Sequence, residues 1–378
     1  MDTDPHQILT EYVDEISSNG IGQHGKKWHA KRVFTIGGSS LATIMGINPW
    51  STIKKLITDK IGLTSFMGDI KPQWGNLFEP IIQTVVEHDK NCKIIGENIF
   101  IEGPTNTSYS PDGLAVIDGK IVLMEFKCPY SRLPNGKMPK YYEPQVKMGL
   151  DIIKIADSGL YAEGVFRRCT WAELDSGPIA NDFPPRPKGS ETIAFSFIGF
   201  YHDPARYQRE LKKNSEIGTE ILESHKTNLW KFYEDQYGSV GSPTNDYMCN
   251  DIGESPIELF TRIMDAYDRK ILVPWYGADI VYAGNGESDM NKGLSAFIDH
   301  CSYNKFPAFG ILPWKLFKLQ YTVVTKEEGY LAPWLPKIAE IIGLVRQCNS
   351  APSHAAKMEI YEAYNQSLYE QSFSDSRW

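Results

Sequence analysis

Long apolar runs are missing from this 378-residue sequence: no stretch approaches the roughly 18 to 20 residues needed to cross a bilayer, which argues against a membrane protein. Cysteine is sparse and unpatterned. The thiols at Cys92, Cys128, Cys169, Cys249, Cys301 and Cys348 show no C-x2-C or C-x4-C spacing, so neither a zinc ribbon nor an iron–sulfur cluster is expected. They read as inert free thiols. Excess positive charge is lacking too. The formal net charge of −8 excludes a protein coated in basic surface, though not a local basic groove, because the field that counts is the one in the cleft. The N-terminus, "MDTDPHQILTEYVDE", lacks the basic-then-apolar order of a signal peptide, so a soluble, intracellular protein is expected. Internal repeats and low-complexity segments are absent.

What is present is a folded, core-forming composition, with 42% hydrophobic and 12% aromatic residues. Two windows are locally basic. Residues 24–32, "HGKKWHAKR", carry Lys26, Lys27, Lys31 and Arg32 with no acid, and residues 120–154 carry seven Lys or Arg against Glu125, Glu143 and Asp151.

Periodicity predicts a helix over 5–18, a short strand or turn and a serine-capped helix in "FTIGGSSLATIMGINPW", and a helix in "WGNLFEPIIQTVVEHDK". Next, "KIIGENIFIEG", "SPDGLAVIDG" and "KIVLMEFKCPY" read as consecutive strands, with Asp118-Gly119 as a hairpin turn. A helix in "PKYYEPQVKMGLDIIK" and strands in "DSGLYAEGVFRRCTW" and "ETIAFSFIGFYHD" follow. "FGILPWKLFKLQYTVVTKEEG" reads as a strand pair with Lys315 and Lys318 outward, "APWLPKIAEIIGLVRQ" as a helix behind it, and "FSDSRW" as a frayed end. "YGSVGSPTND" and "GNGESDMNKG" are candidate linkers. The order implies an α/β core with a mixed sheet.

One strand carries the chemistry. Side chains alternate along a strand, so Glu125 and Lys127 project together while Phe126 points inward. The Asp118-Gly119 turn brings Asp112 beside Glu125. Two carboxylates and an ammonium then converge, and with a neighbouring backbone carbonyl such as that of Phe126 they suit Mg2+ or Mn2+. Such a site polarises a phosphodiester and activates water, with Lys127 orienting that water or neutralising developing charge. The plain alternative is a strand-end ion pair beside a turn.

The full pattern, Pro111-Asp112-x12-Glu125-x-Lys127, resembles the signature of the PD-(D/E)xK nuclease superfamily, and the chain is similar to its phage lambda exonuclease or YqaJ-like viral recombinase branch. "WHAKRVFTIGGS", "GINPWST", "WGNLFEP", "YYEPQVKMGL" and "VTKEEGYLAPWLPKIAEI" support the likeness, which spans roughly 28–165 and 306–345. It implies a restriction-endonuclease-like core, a mixed central sheet flanked by helices, with an additional helical insertion. It implies that Glu79 completes the acidic cluster around Asp112, Glu125 and Phe126, that Gln145 lies near the active site, and that Arg32 and Ser39 contact phosphate. Ser40 belongs to the same glycine-serine helix start, whose amides suit an anion. Lys140 and Lys147 are placed to track a DNA backbone and Tyr141 to stack on a base; a solvated helix face and core packing are the plain readings. Glu79 could instead form a capping box with Asn76, and Gln145 could face solvent.

The resulting layout is an N-terminal helix over 1–25, a nuclease core over 26–204, a helical, loop-rich insertion over 205–300, a return to the core over 301–348 and a C-terminal helix or tail over 349–378. The expected activity is Mg2+-dependent hydrolysis of linear duplex DNA from a 5′ end, with Mn2+ as substitute and no nucleotide cofactor. The single-stranded products would serve recombination or repair of a large DNA virus genome in host cytoplasm or nucleus. A single-strand annealing protein and a homotrimer are the expected partners. Endonuclease or RNA-cleaving activity, and a non-catalytic DNA-binding protein on the same fold, are the alternatives.

Overall fold

A computed structural model of the chain describes residues 4–22, 25–64, 70–97, 99–169, 171, 173–174, 190–202, 260, 263–264, 267, 272–284, 290–304, 306 and 308–375, with side chains to 366. Helix α1 (Pro5–Ser18) is capped by Asp4, whose carboxylate accepts from the His6 amide. It is followed by α2 (Lys26–Val33), β1 (Ile36–Gly37), α3 (Gly38–Ile44), α4 (Ile53–Lys60) and α5 (Ile70–Lys90). Lys26–Arg32 of the basic block therefore lie on helix α2, which their polar composition did not disclose.

The strands that follow divide between two sheets. β2 (Ile94–Ile95) pairs with β5 (Gly113–Ile117), whereas β3 (Ile101–Glu102) and β4 (Thr107–Tyr109) join β1 in a small three-stranded sheet. The stretch expected as one strand thus breaks at Gly96, whose φ of +80° is a left-handed turn conformation that glycine adopts without strain. The hairpin is as predicted. β5 runs antiparallel to β6 (Lys120–Lys127) through Asp118 and Gly119, both at positive φ, the geometry of a two-residue hairpin loop.

α6 (Glu143–Ile152) crosses to β7 (Ser158–Arg168), which lies parallel to β6. β8 (Ala194–His202), β9 (Leu272–Trp275), β10 (Val281–Tyr282) and α7 (Met290–Asn304) precede β11 (Ala308–Thr325). β11 is one long strand and not a pair: its first half pairs with β8 and its second with β7, with irregularities near Ala308/Gly310 and Leu316/Lys318. Lys315 is only 2% exposed, so it faces inward, contrary to the expectation, while Lys318 Nζ donates to the Pro134 carbonyl at 2.8 Å. The large sheet runs β10-β8-β11-β7-β6-β5-β2 with β9 on β8. Within the stretch read as an insertion, the described residues therefore add two short strands to this sheet as well as α7; the "YGSVGSPTND" linker lies outside the described residues.

A short 3₁₀ turn (Ala332–Trp334), α8 (Leu335–Asn349) and α9 (His354–Asp375) close the chain. Helix α9 extends through the "FSD" expected to fray. One core packs α3, α6 and α8 against one side of the sheet, and a second packs α5 against the other around Trp74, Phe78, Phe166 and Trp314. Among the described residues no helix is long and apolar enough to cross a membrane.

Asp151, on α6, ties the closing segment to the core. Its carboxylate accepts from the amides of Gly329 at 3.2 Å and Leu331 at 2.9 Å and from Lys154 Nζ at 2.8 Å. Burial alone would raise its pKa, but Lys154 and the two amides hold it below the usual range. A lowered folded-state pKa contributes stability above the unfolded value of about 3.9, lost as pH falls through the folded value. Asp151→Ala should therefore lower stability in urea unfolding by about 1–3 kcal/mol at pH 7. The gap should close as pH drops below 4; an equal gap at pH 7 and pH 3 would show that the carboxylate is not the anchor.

Candidate active site

The β5–β6 hairpin places the first two acids. Gly113 pairs with Met124, so Asp112 stands at the open end of the hairpin opposite Glu125. The Phe126 amide donates to Asp112 Oδ2 at 2.7 Å, locking one carboxylate onto the backbone between Glu125 and Lys127. Glu125 is fully buried and pairs directly with Lys127 Nζ, which also donates to the Phe126 carbonyl at 3.0 Å. Lys127 keeps 24% of its side chain exposed, so its ammonium spans the buried carboxylate and the solvent side. On that side it lies 5.3 Å from the ring of Tyr142, the residue that opens α6.

Glu79 approaches from α5. The helix begins at Ile70, nine residues earlier, and Pro80 lies inside it. Glu79 is thus a mid-helix residue, and the capping box with Asn76 is not formed. Its charge is felt at the site: burial raises its pKa, with Lys127 pulling down and Glu125 pushing up. Asp112 is raised further, first by burial and then by repulsion from Glu125 and Glu79, against Lys127 and the Phe126 amide. For Lys127 burial acts downward, yet Glu125 and Asp112 outweigh it and hold the ammonium firmly charged.

These donors suit a hard divalent cation. Carboxylate oxygens and a backbone carbonyl converge, and mutual repulsion among the acids is what a bound cation would relieve. Asp112, Glu125 and the Phe126 carbonyl are the residues that would hold it. Among the described residues no three His, Cys, Asp or Glu side chains already form a ready ligand shell, so Glu79 stands as an electrostatic neighbour.

The second half of the site is built on α2 and α3. Arg32 stacks over Trp28 at 4.4 Å, and burial pulls its pKa down. A Cβ added at Gly37 would stand 3.4 Å from Arg32 Nη2, so the guanidinium reaches the start of α3. Gly37, not a serine, caps that helix; Ser39, exposed, and Ser40, half-buried, lie within its first turn. Lys60, which sequence reasoning passed over, donates to the carbonyls of Arg32 and Thr35, each at 2.7 Å, and fixes the turn into β1. Burial, then repulsion from Arg32, against attraction to Asp59, brings its pKa down to about 8. Nothing in "IKKLITDKIG" distinguishes it from an ordinary helix lysine.

Gln145 is half-buried in the first turn of α6, and a Cβ at Gly38 would come 3.2 Å from its Cγ; it reaches α3 and is not a plain solvent-facing residue. Tyr141 and Tyr142 are half-buried with ring centroids 4.5 Å apart, and Lys140 beside them is exposed. Lys147 is engaged by Glu143 at 3.1 Å and Glu327 at 2.9 Å, so its charge is offset by two acids. Trp74 is fully buried core. Tyr109 was missed. It is 2% exposed, and its hydroxyl donates to Glu125 Oε2 at 3.0 Å. Burial and then the Glu125 and Asp112 charges push its pKa well up, so it stays a donor. Its tyrosine-serine-proline-aspartate context gave no signal beyond a β-prone residue.

Residues 27–155 match the family model of the YqaJ-like viral recombinase domain. Curated relatives include a protein of African swine fever virus in several of its strains. The form from the Badajoz 1971 Vero-adapted strain is 28% identical over 244 residues, covering 57% of this chain and 70% of the relative. The form from a Malawi tick isolate is 30% identical over 204 residues, covering 47% and 59%. Among solved structures, an alkaline exonuclease of Laribacter hongkongensis covers 37% of this chain and 73% of its own at 19% identity, with a TM-score of 0.30. A phage-related exonuclease of Haemophilus somnus covers 35% and 68% at 15% identity, with a TM-score of 0.28.

The Glu125–Lys127 pair makes a measurable demand on stability. Removing one partner of a buried pair leaves an uncompensated charge and costs about 3–5 kcal/mol. Lys127→Met should approach that loss in urea unfolding without metal, and Glu125→Gln/Lys127→Met should recover most of it. If Lys127→Met costs no more than the roughly 1 kcal/mol of a surface pair, Glu125 is not held as described.

Proposed function

We propose that this chain, whose residues 27–155 match the YqaJ-like viral recombinase domain, is a Mg2+-dependent deoxyribonuclease that degrades one strand of linear duplex DNA from its 5′ end. The observation that carries the reading is the meeting of Asp112, Glu125 and Lys127 at one strand end, with Asp112 bound to the backbone between the other two. A structural ion pair has no use for the adjacent charges of Asp112 and Glu79, which burial and repulsion keep strained. The chemistry supplied by Mg2+ or Mn2+ at such a site is polarisation of the phosphodiester and activation of the attacking water.

The chain's own residues do the rest. Asp112 and Glu125 present oxygens on a rigid hairpin, and Glu79 adds negative charge behind them. Lys127, at the solvent edge of the cluster, orients the attacking water and offsets charge developing on the phosphoryl oxygens. Gln145, whose Cγ lies against Gly38 of α3, would assist from α6. Arg32, Ser39, Ser40 and the first amides of α3 form the seat for the terminal or scissile phosphate. Exposed Lys140 and the Tyr141 ring extend it along the strand, while Lys147 contributes less because two acids hold it. The single strands produced would feed an annealing protein in recombination or repair of a viral genome inside the host cell. A ring-shaped homotrimer would keep the enzyme on its substrate. Direction, processivity and these partners rest on the family likeness.

The test is digestion of linear duplex DNA carrying separate 5′ and 3′ labels, with Mg2+, with EDTA and with Asp112→Asn protein, beside closed circles and single-stranded RNA. Loss from the 5′ end alone is expected, reduced by more than about 100-fold in EDTA and in the variant, a typical loss for a group acting on the transition state. Cutting of circles or RNA would keep the site and move the function to an endonuclease or RNA-cleaving enzyme. With no Mg2+-dependent cleavage of any substrate, the enzymatic reading fails and a DNA-binding role takes its place.

A further inference from the structure

We infer that Tyr109 is a positioning residue that sets the orientation of Glu125 for cation binding. The inference rests on the proposed cation site. Tyr109 does not belong to the sheet that carries Glu125. It ends β4 in the small sheet, where Ile101 is its pairing partner, and β4 runs parallel to β1, the two-residue strand leading directly into α3. Its ring occupies a slot between two helices that only glycine leaves open. A Cβ at Gly38 on α3 would come 2.6 Å from the ring, and one at Gly149 on α6 would come 2.5 Å from it. Real Cβ atoms do not approach that closely, so both helices are packed onto the two sides of this ring. The ring cannot swing, and its hydroxyl is delivered to Glu125 Oε2 at 3.0 Å.

A phenylalanine would fill the same slot, so packing alone does not account for the hydroxyl. What the hydroxyl adds is direction. With Oε2 taken by Tyr109, the plane of the carboxylate is fixed and Oε1 is turned toward Lys127 and the Phe126 carbonyl, where a cation would gather its oxygens. Hydrogen bonds of this kind orient carboxylate ligands, and their removal typically costs 10–100-fold in metal affinity.

Tyr109→Phe keeps the ring and deletes only the oxygen. Wild-type, Tyr109→Phe and Glu125→Gln proteins would be titrated with Mn2+ without DNA, free Mn2+ being read by its electron paramagnetic resonance signal. Cooperative melting and duplex binding in EDTA are measured on the same samples. Expected is a fall in Mn2+ affinity of about 10-fold or more for Tyr109→Phe, with duplex binding in EDTA within twofold of wild type. Mn2+ affinity within twofold of wild type, while Glu125→Gln has lost it, would overturn the positioning role and leave the cation site standing. Parallel loss of Mn2+ and duplex binding would also overturn it, as general damage. If the wild type binds no Mn2+, or Glu125→Gln binds it equally, the cation reading fails and this inference with it.

Discussion

Burying the Glu125 carboxylate in the middle of a sheet is the constraint around which this domain is organised. An ionised carboxylate removed from water costs several kcal/mol even after its surroundings relax, and only close, well-directed partners recover that cost. Both oxygens of Glu125 have such partners. Lys127 comes from the same strand face two residues on, and Tyr109 from a different sheet altogether. To bring Tyr109 there, the chain leaves the main sheet at Gly96, builds the small sheet, and returns at Gly113 in time for Asp112 to meet the Phe126 amide. Two helices then close on the tyrosine ring through Gly38 and Gly149. The small sheet, the helix pair and the hairpin are three answers to one electrostatic problem.

The part of this arrangement that was legible in the sequence is the local part. Asp118-Gly119 specifies a hairpin turn, the turn specifies the register, and the register places Asp112 opposite Glu125 without reference to anything distant. Strand alternation likewise puts Lys127 beside Glu125. Long-range features were not legible. The polar block at Lys26–Val33 is a helix because Trp28 is buried and Arg32 lies over it, and no periodic apolar stripe announces that. The capping box considered at Asn76 and Glu79 does not form, because α5 starts at Ile70 and its apolar face, from Trp74 to Val86, is buried in the core. The long strand β11 reads as two because its halves pair with different neighbours and Pro313 interrupts the pattern.

The same division explains the site residues. Glu79, Gln145, Arg32 and Ser39 were named through the family likeness, since each comes from a different element and only the tertiary fold brings them near the hairpin. Tyr109 and Lys60 were not named at all. Their roles depend on what surrounds them: a slot between two glycines for one, and the Arg32 and Thr35 carbonyls around the turn into β1 for the other. A tyrosine in a strand and a lysine ending a helix are ordinary residues until those partners are known.

The charge distribution also settles how such a site can meet a polyanion. The chain carries a net charge of −8, and three acids crowd the hairpin end with Lys127 holding one of them. A phosphate approaching from solvent meets that cluster at a few ångströms, where opposition between like charges in a half-buried setting reaches several kcal/mol. The chain places its compensation on the other side of Tyr109, where Arg32 and the first turn of α3 offer positive charge and open amides. On the proposed function those groups would hold a phosphate next to the acids without neutralising them. On the same proposal a cation taken up by Asp112 and Glu125 would supply that neutralisation and draw the raised Asp112 carboxyl into its charged form. On that proposal cation binding and phosphate binding would be linked, because each lowers the electrostatic cost of the other.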